Sequence, residues 1–118
     1  LSHGALAEDF ACKWLESRGL RLIQRNYRCR AGELDLVMRD GEELVIAEVK
    51  FRRRSDYGHP EETVDARKRR RIISATRHLL LTTEAFTNID VRFDVVALSG
   101  DLSTPEVHWL RDAFTRDG

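Results

Sequence analysis

Gly32-Glu33-Leu34-Asp35-Leu36-Val37-Met38-Arg39-Asp40-Gly41-Glu42-Glu43-Leu44-Val45-Ile46-Ala47-Glu48-Val49-Lys50 reads as two β-strands folded back on each other. Asp40-Gly41 is a favoured two-residue hairpin loop, because both central positions of such a turn require positive φ. A loop at that point pairs Arg39 with Glu42, and so sets Asp35 opposite Ile46, Glu33 opposite Glu48 and Ala31 opposite Lys50. Opposed residues share a face and side chains alternate along a strand. Glu33, Asp35, Ile46, Glu48 and Lys50 therefore project to one side, with Asp35 and Glu48 as diagonal neighbours about 7–8 Å apart. A four-residue Arg39–Glu42 loop keeps this parity, whereas an odd-length loop without a bulge breaks it.

Working outward, residues 3–18 carry Ala7, Phe10, Ala11, Trp14 and Leu15 on one helical stripe, with Ser2 as a cap and Gly19 as a stop. Leu20–Cys29 reads as a strand before the hairpin, and Glu43–Arg52 as the hairpin's second strand. Leu44-Val45-Ile46-Ala47 is apolar at successive positions, which marks a strand buried on both faces. Tyr57-Gly58-His59-Pro60 signals a loop. A second helix is expected over Val64–Leu81, led by Glu61, Glu62 and Asp65, with Val64, Lys68, Ile72, Ala75 and Leu79 inward. Val91–Leu98 reads as a strand, Val107–Leu110 as a short one, and the tail from Arg111 as frayed. The expected architecture is one domain over residues 1–118, an α/β sandwich with a mixed central sheet, its core at about 3–98 and an extension over 99–118.

The chain has 118 residues, 34% of them charged, with a net charge of zero. That charge is unevenly spread. Residues 1–49 hold seven Lys/Arg against nine Asp/Glu, residues 50–71 nine against four, and residues 72–118 four against seven. The middle segment is thus a basic patch of net +5 between acidic flanks. A basic patch adjoining a carboxylate cluster suits a polyanion brought to a cation site. No apolar run approaches the ~18 residues of a membrane span, and nothing resembles a secretory signal. Cys12 and Cys29 lack metal-ligand spacing and read as reduced thiols of a cytoplasmic protein. The start at Leu1 implies that an initiator Met has been lost.

The chemistry concentrates on the hairpin. Mg²⁺ prefers octahedral oxygen coordination and takes one or two protein carboxylates, completing its shell with waters and phosphate oxygens. Asp35 and Glu48 supply such carboxylates, and the Val49 carbonyl can add an oxygen. Lys50, on the same face, can orient or help deprotonate a water and offset phosphate charge. The plain alternative is an exposed sheet face with Glu–Lys pairs, each worth little. Against it stand Asp35, ill-suited to a β-rich run, and Glu48, an acid on a buried strand. Glu8 falls at the margin of the first helix's apolar stripe, from which it can lean toward Asp35 or face solvent. Glu33 either supports the site or points past the sheet end, and Asp94 reads as a structural partner for an arginine. Lys68 and Arg71 can reach the site from the second helix, whereas Arg67 and Arg70 are expected to face solvent. With Arg52, Arg53 and Arg54 they form a phosphate-backbone track, which gives affinity and position but no sequence reading.

Gly4-x3-Glu8-x2-Ala11, Arg25-Asn26-Tyr27-Arg28, Gly32-Glu33-Leu34-Asp35-Leu36, Glu48-Val49-Lys50, Val64-x3-Lys68 and Arg92-Phe93-Asp94-Val95-Val96 together resemble the YraN family of small bacterial proteins, from about Gly4 to Leu98. That pattern is similar to Holliday-junction resolvases and to the PD-(D/E)xK nuclease superfamily, with Leu34 where the eponymous proline would stand. The resemblance implies a restriction-endonuclease-like αβββαβ core and cleavage of phosphodiester bonds with Mg²⁺ or Mn²⁺. It also implies metal ligation by Asp35 and Glu48, an active-site lysine at Lys50 and a supporting acid at Glu8. The expected partner is nucleic acid, DNA in structured or branched form, with no membrane. A homodimer suits paired symmetric cuts. The fold also hosts proteins without catalysis, so a nucleic-acid-binding or assembly module stays open beside the nuclease.

Overall fold

Leu44, Val45, Ile46 and Ala47 are all fully buried, and the strand that carries them is the middle one of a five-stranded sheet. The computed structural model describes residues 2–53 and 64–116. Its elements are α1 (His3–Ser17), β1 (Arg21–Cys29), β2 (Gly32–Asp40), β3 (Glu43–Arg52), α2 (Ala66–Thr82), a 3₁₀ turn (Glu84–Phe86), β4 (Asp90–Ser99) and β5 (Glu106–Phe114). The sheet order is β1-β2-β3-β4-β5, antiparallel throughout except for the parallel β3–β4 pair that α2 connects. This is a mixed α/β sandwich, consistent with an αβββαβ core to which β5 adds an edge. Arg54, the Tyr57–Pro60 loop and the acids Glu61 and Glu62 lie outside the described residues.

Each sheet face has its own core. Ala7, Ala11 and Leu15 of α1 pack on Leu36, Met38, Val45, Ala47, Val96 and Leu98. Ile72, Ala75 and Leu79 of α2 pack on Leu34, Val37, Ile46, Phe93 and Val95. Burying a Leu, Ile or Phe side chain of this kind contributes about 1.5–3 kcal/mol. Both helices begin where their caps dictate. The Ser2 hydroxyl accepts from the Ala5 N–H at 3.1 Å, and the Asp65 carboxylate accepts from the Lys68 N–H at 2.8 Å. Val64 therefore precedes α2 rather than opening it, yet remains buried among the α2-side core. Among the described residues no helix is long and apolar enough to cross a membrane.

The hairpin register differs from the sequence expectation by two residues. Asp40 pairs with Glu43, Val37 with Ile46 and Leu36 with Ala47, so the loop is Gly41-Glu42 rather than Asp40-Gly41. Only Gly41 has positive φ there, at 61°, as a turn of type II′ requires at its first central position. Asp40 stays in the ladder, its carboxylate held by Arg92 at 3.1 Å and Arg111 at 3.2 Å. A shift of two keeps the parity, so Asp35 and Glu48 still share a face.

The expected frayed tail is also corrected. Beyond Leu110 the strand continues to Phe114, which is buried and stacks on Phe93 with centroids 4.9 Å apart. Between them β5 bulges, with Asp112 at φ 54° and its N–H donating to the Asp94 carboxylate at 3.0 Å. Gly32 opens β2 beneath α2. A Cβ there would sit 3.0 Å from the Arg71 carbonyl oxygen, so the missing side chain lets the helix settle close to the strand that carries Asp35.

Candidate active site

The β2–β3 ladder stops at the Leu36–Ala47 pair. One residue further the two acids replace it. The Asp35 N–H donates to Glu48 Oε2 at 3.2 Å, and the Val49 N–H donates to Asp35 Oδ2 at 2.9 Å. Each carboxylate thus satisfies a main-chain donor that the parting strands would otherwise leave unpaired. Leu34 and Leu36, which strict alternation would keep together, join opposite cores, so β2 turns over at Asp35. The corrected register sets Asp35 and Glu48 across from each other rather than diagonally.

Ionisable groups are concentrated here. Glu48 is only 1% exposed. Burial, and then the neighbouring Asp35 carboxylate, push its pKa up to about 8. The nearest cation is Lys68, whose Nζ lies 3.9 Å from Glu48 Oε1. Lys50 is half-buried. Burial, and then the adjoining Lys68 ammonium, bring its pKa down to about 8. Two acids and two lysines from β2, β3 and α2 therefore form one interacting group, in which proton transfers near neutral pH are accessible.

Glu8 reaches this group from α1. Its pKa is raised by burial first and by Asp35 second, while Asn26 and Arg25 oppose the shift. Arg25 Nη2 lies 3.7 Å from Glu8 Oε1, and its Nη1 also bonds Asp9. Asn26 sits between Arg25, which pairs with Leu36, and Tyr27, which pairs with Leu34, and therefore lies beside Asp35. Its φ of 53° is a left-handed conformation inside a strand, one that asparagine tolerates better than most residues. Asn26 and Arg25 were absent from the sequence-derived set of site residues. The available signal was Asn26 itself, a residue poorly suited to a strand interior, within the Arg25-Asn26-Tyr27-Arg28 motif.

A cavity of about 510 Å³ opens over the acids, lined by Glu33, Asp35, Glu48 and Asp65 and by Arg67, Lys68 and Arg71. Arg67 thus faces the cavity rather than open solvent alone. Glu33 lines it while pairing with Arg28 at 3.4 Å. Arg53 contacts His3, at 3.4 Å, and lines a separate cleft with Leu6 and Phe51. Arg52 is exposed at the end of β3, and neither it nor Lys50 is among the residues that line the cavity over the acids.

The donor set suits a hard divalent ion. Each carboxylate has one oxygen committed to a main-chain N–H, leaving Asp35 Oδ1 and Glu48 Oε1 for another partner. Two carboxyl groups that share one cleft and disfavour each other's ionisation are relieved by a cation. Among the described residues no three His, Cys, Asp or Glu side chains converge as ligands. That is compatible with Mg²⁺, which keeps most of its waters.

The model of the uncharacterised protein family UPF0102 matches residues 7–98. A UPF0102 protein of Nitrosococcus oceani is 45% identical over 111 residues, covering 94% of this chain and 90% of its own. One of Xanthomonas campestris pv. campestris is 46% identical over 114 residues, covering 97% and 92%. A third, of Stutzerimonas stutzeri, is 42% identical over 113 residues, covering 96% and 94%. The matched span runs from α1 through the hairpin and α2 to β4, and so takes in Glu8, Asp35, Glu48, Lys50 and Lys68. On that coverage the chain belongs to the uncharacterised protein family UPF0102, the YraN family that its motifs resemble.

Proposed function

We propose that this chain is a divalent-metal-dependent, endonuclease-like protein that hydrolyses phosphodiester bonds in structured or branched DNA. The observation that carries the reading is the meeting of Asp35 and Glu48 where β2 and β3 part, with Lys50 and Lys68 beside them. Asp35 Oδ1, Glu48 Oε1 and the Val49 carbonyl would hold Mg²⁺ or Mn²⁺. Bound there, the ion supplies Lewis acidity to a phosphoryl oxygen and lowers the pKa of a coordinated water. Lys50, with its pKa near 8, is matched to taking a proton from an attacking water at neutral to mildly basic pH. Lys68, Arg67 and Arg71 line the cavity and offset the charge of the phosphate. Glu8, held by Arg25, supports Asp35 from α1. A homodimer would provide the paired cuts that a four-way junction needs.

The test is cleavage of flap, fork, four-way and single-stranded DNA with Mg²⁺ or Mn²⁺, beside Mn²⁺ binding measured by calorimetry. The reading expects metal-dependent cutting of at least one branched substrate, lost by more than 100-fold in Asp35→Ala and Lys50→Ala. Mn²⁺ binding should be lost only in Asp35→Ala.

A second reading, a nucleic-acid-binding or assembly module without turnover, is favoured by the lack of a third converging acid among the described residues. DNA binding with no cleavage of any substrate and no Mn²⁺ uptake would select it.

A further inference from the structure

α2 carries two basic clefts, one on each flank. At about 100° per residue, Arg67, Lys68 and Arg71 fall in one sector of the helix and Arg69, Arg70 and Arg77 in the opposite one. The first sector lines the cavity over Asp35 and Glu48. The second lines a separate groove of about 420 Å³ formed with Ile73, Ser74 and Arg116 from the chain's C-terminal end. Among the described residues, the lining of that groove includes four arginines and no carboxylate. Arg69 Nε is buried and has no hydrogen-bond partner among the described residues. Phosphate oxygens are the acceptors that a cluster of four arginines fits best. None of these arginines belongs to the site proposed above.

We propose that this outer groove binds a second phosphodiester backbone, that of the opposite strand of a DNA duplex. The spacing supports a duplex over a single strand. The two clefts are separated by the width of a helix, about 10–12 Å with side chains. That is close to the roughly 12 Å width of the major groove, which admits an α-helix between its two bordering backbones. With Ser74 on the exposed ridge of α2, one backbone runs along Arg67 and Arg71 and the other along Arg69, Arg70, Arg77 and Arg116. The identity of the strand in the inner cavity as the scissile one rests on the nuclease reading. The grip of the outer groove does not.

The experiment compares wild type with Arg70→Ala/Arg77→Ala, both exposed positions whose truncation leaves the cores intact. Binding of a duplex and of a single-stranded oligonucleotide is measured by fluorescence anisotropy over a salt series. Inorganic phosphate is titrated as a competitor. The expected result is a loss of tenfold or more in duplex affinity and a fall of about two in the log–log salt slope. Single-strand affinity should change by less than about threefold, and millimolar phosphate should compete weakly. Equal losses for duplex and single strand, no loss for either, or saturation of the groove by phosphate alone would each overturn the duplex assignment. The two readings fail separately. Duplex selectivity that depends on Arg70 and Arg77 in a protein with no cleavage sinks only the nuclease, and metal-dependent cleavage with unaltered duplex binding sinks only the groove.

Discussion

Two carboxylates one strand apart, Glu48 on β3 and Asp94 on β4, are equally buried and oppositely served. Asp94 is wholly inaccessible and accepts from Arg92 Nε at 2.9 Å and Nη2 at 3.0 Å, Trp109 Nε1 at 2.9 Å and the Asp112 N–H at 3.0 Å. The same Arg92 extends Nη1 to Asp40 and Glu43, both at 3.1 Å, so one guanidinium ties β2, β3 and β4, and Asp94 itself adds β5 through Trp109 and Asp112. Glu48 accepts one main-chain N–H at 3.2 Å, has its nearest ammonium at 3.9 Å and faces another acid. Burial alone therefore does not mark a site. The accounting of donors around each acid does: the Asp94 carboxylate is fully partnered by the fold, whereas a charge on Glu48 would be left uncompensated, so Glu48 keeps its proton up to about pH 8.

The largest effect that follows is at the well-served acid. Asp94→Ala strips Arg92, whose side chain is 9% exposed, of its bidentate partner and orphans the Trp109 and Asp112 donors. Breaking a buried pair from one side costs about 3–5 kcal/mol. The thermal midpoint should fall by roughly 10 °C or more for a domain of this size, read by circular dichroism. A midpoint within a few degrees of wild type would show that Asp40 and Glu43 suffice to hold Arg92, and the contrast with Glu48 would lose its structural half.

At Glu48 the sign reverses. Its pKa is about 8 in the folded chain against an ordinary 4.5, so the folded state holds an extra proton between those values. Stability from this group is full below pH 4.5 and falls as pH rises to about 8. Lys50, lowered from 10.5 to about 8, changes the balance only above that window. Glu48→Gln keeps an acceptor for the Asp35 N–H and removes the charge. The variant should match wild type at pH 5 and exceed it by about 1–3 kcal/mol at pH 8, an amount typical of a buried, unsatisfied group. On the metal-site proposal, saturating Mn²⁺ should reverse the order, because Glu48→Gln removes one of the proposed ligands. A variant less stable than wild type at pH 8 without metal would mean that Glu48 is served as well as Asp94.

Some of this contrast was legible in the sequence. The apolar run Leu44–Ala47 marked β3 as buried on both faces, and alternation alone set Asp35 and Glu48 on a common side. The two-residue register shift was not legible, since Asp40-Gly41 and Gly41-Glu42 both place the glycine at a permitted turn position. What decides between them is Asp40's attachment to Arg92 and Arg111, respectively 52 and 71 residues away. The rest of β5 was hidden because Arg111-Asp112-Ala113 interrupts the alternation at the bulge that serves Asp94. Asn26 was visible only as part of the Arg25-Asn26-Tyr27-Arg28 motif; its left-handed backbone, beside Asp35, is something no strand pattern anticipates. Local periodicity shows which face a residue takes. It is blind to partners that only the closed sheet brings near.

The smallest effect tests how much redundancy the Asp94 network holds. Trp109→Phe removes a single donor, the indole N–H at 2.9 Å from Asp94 Oδ2, and leaves the bidentate arginine and the Asp112 N–H in place. The ring also packs edge-on against Trp14, with centroids 5.7 Å apart, and phenylalanine keeps part of that contact. One hydrogen bond to a charged group, with its carboxylate still otherwise satisfied, is worth about 1.5–3 kcal/mol. The remaining donors should hold the loss to the low end of that range, which urea unfolding measures. A loss as large as that of Asp94→Ala would mean that the network has no redundancy and that every donor is needed to hold the acid.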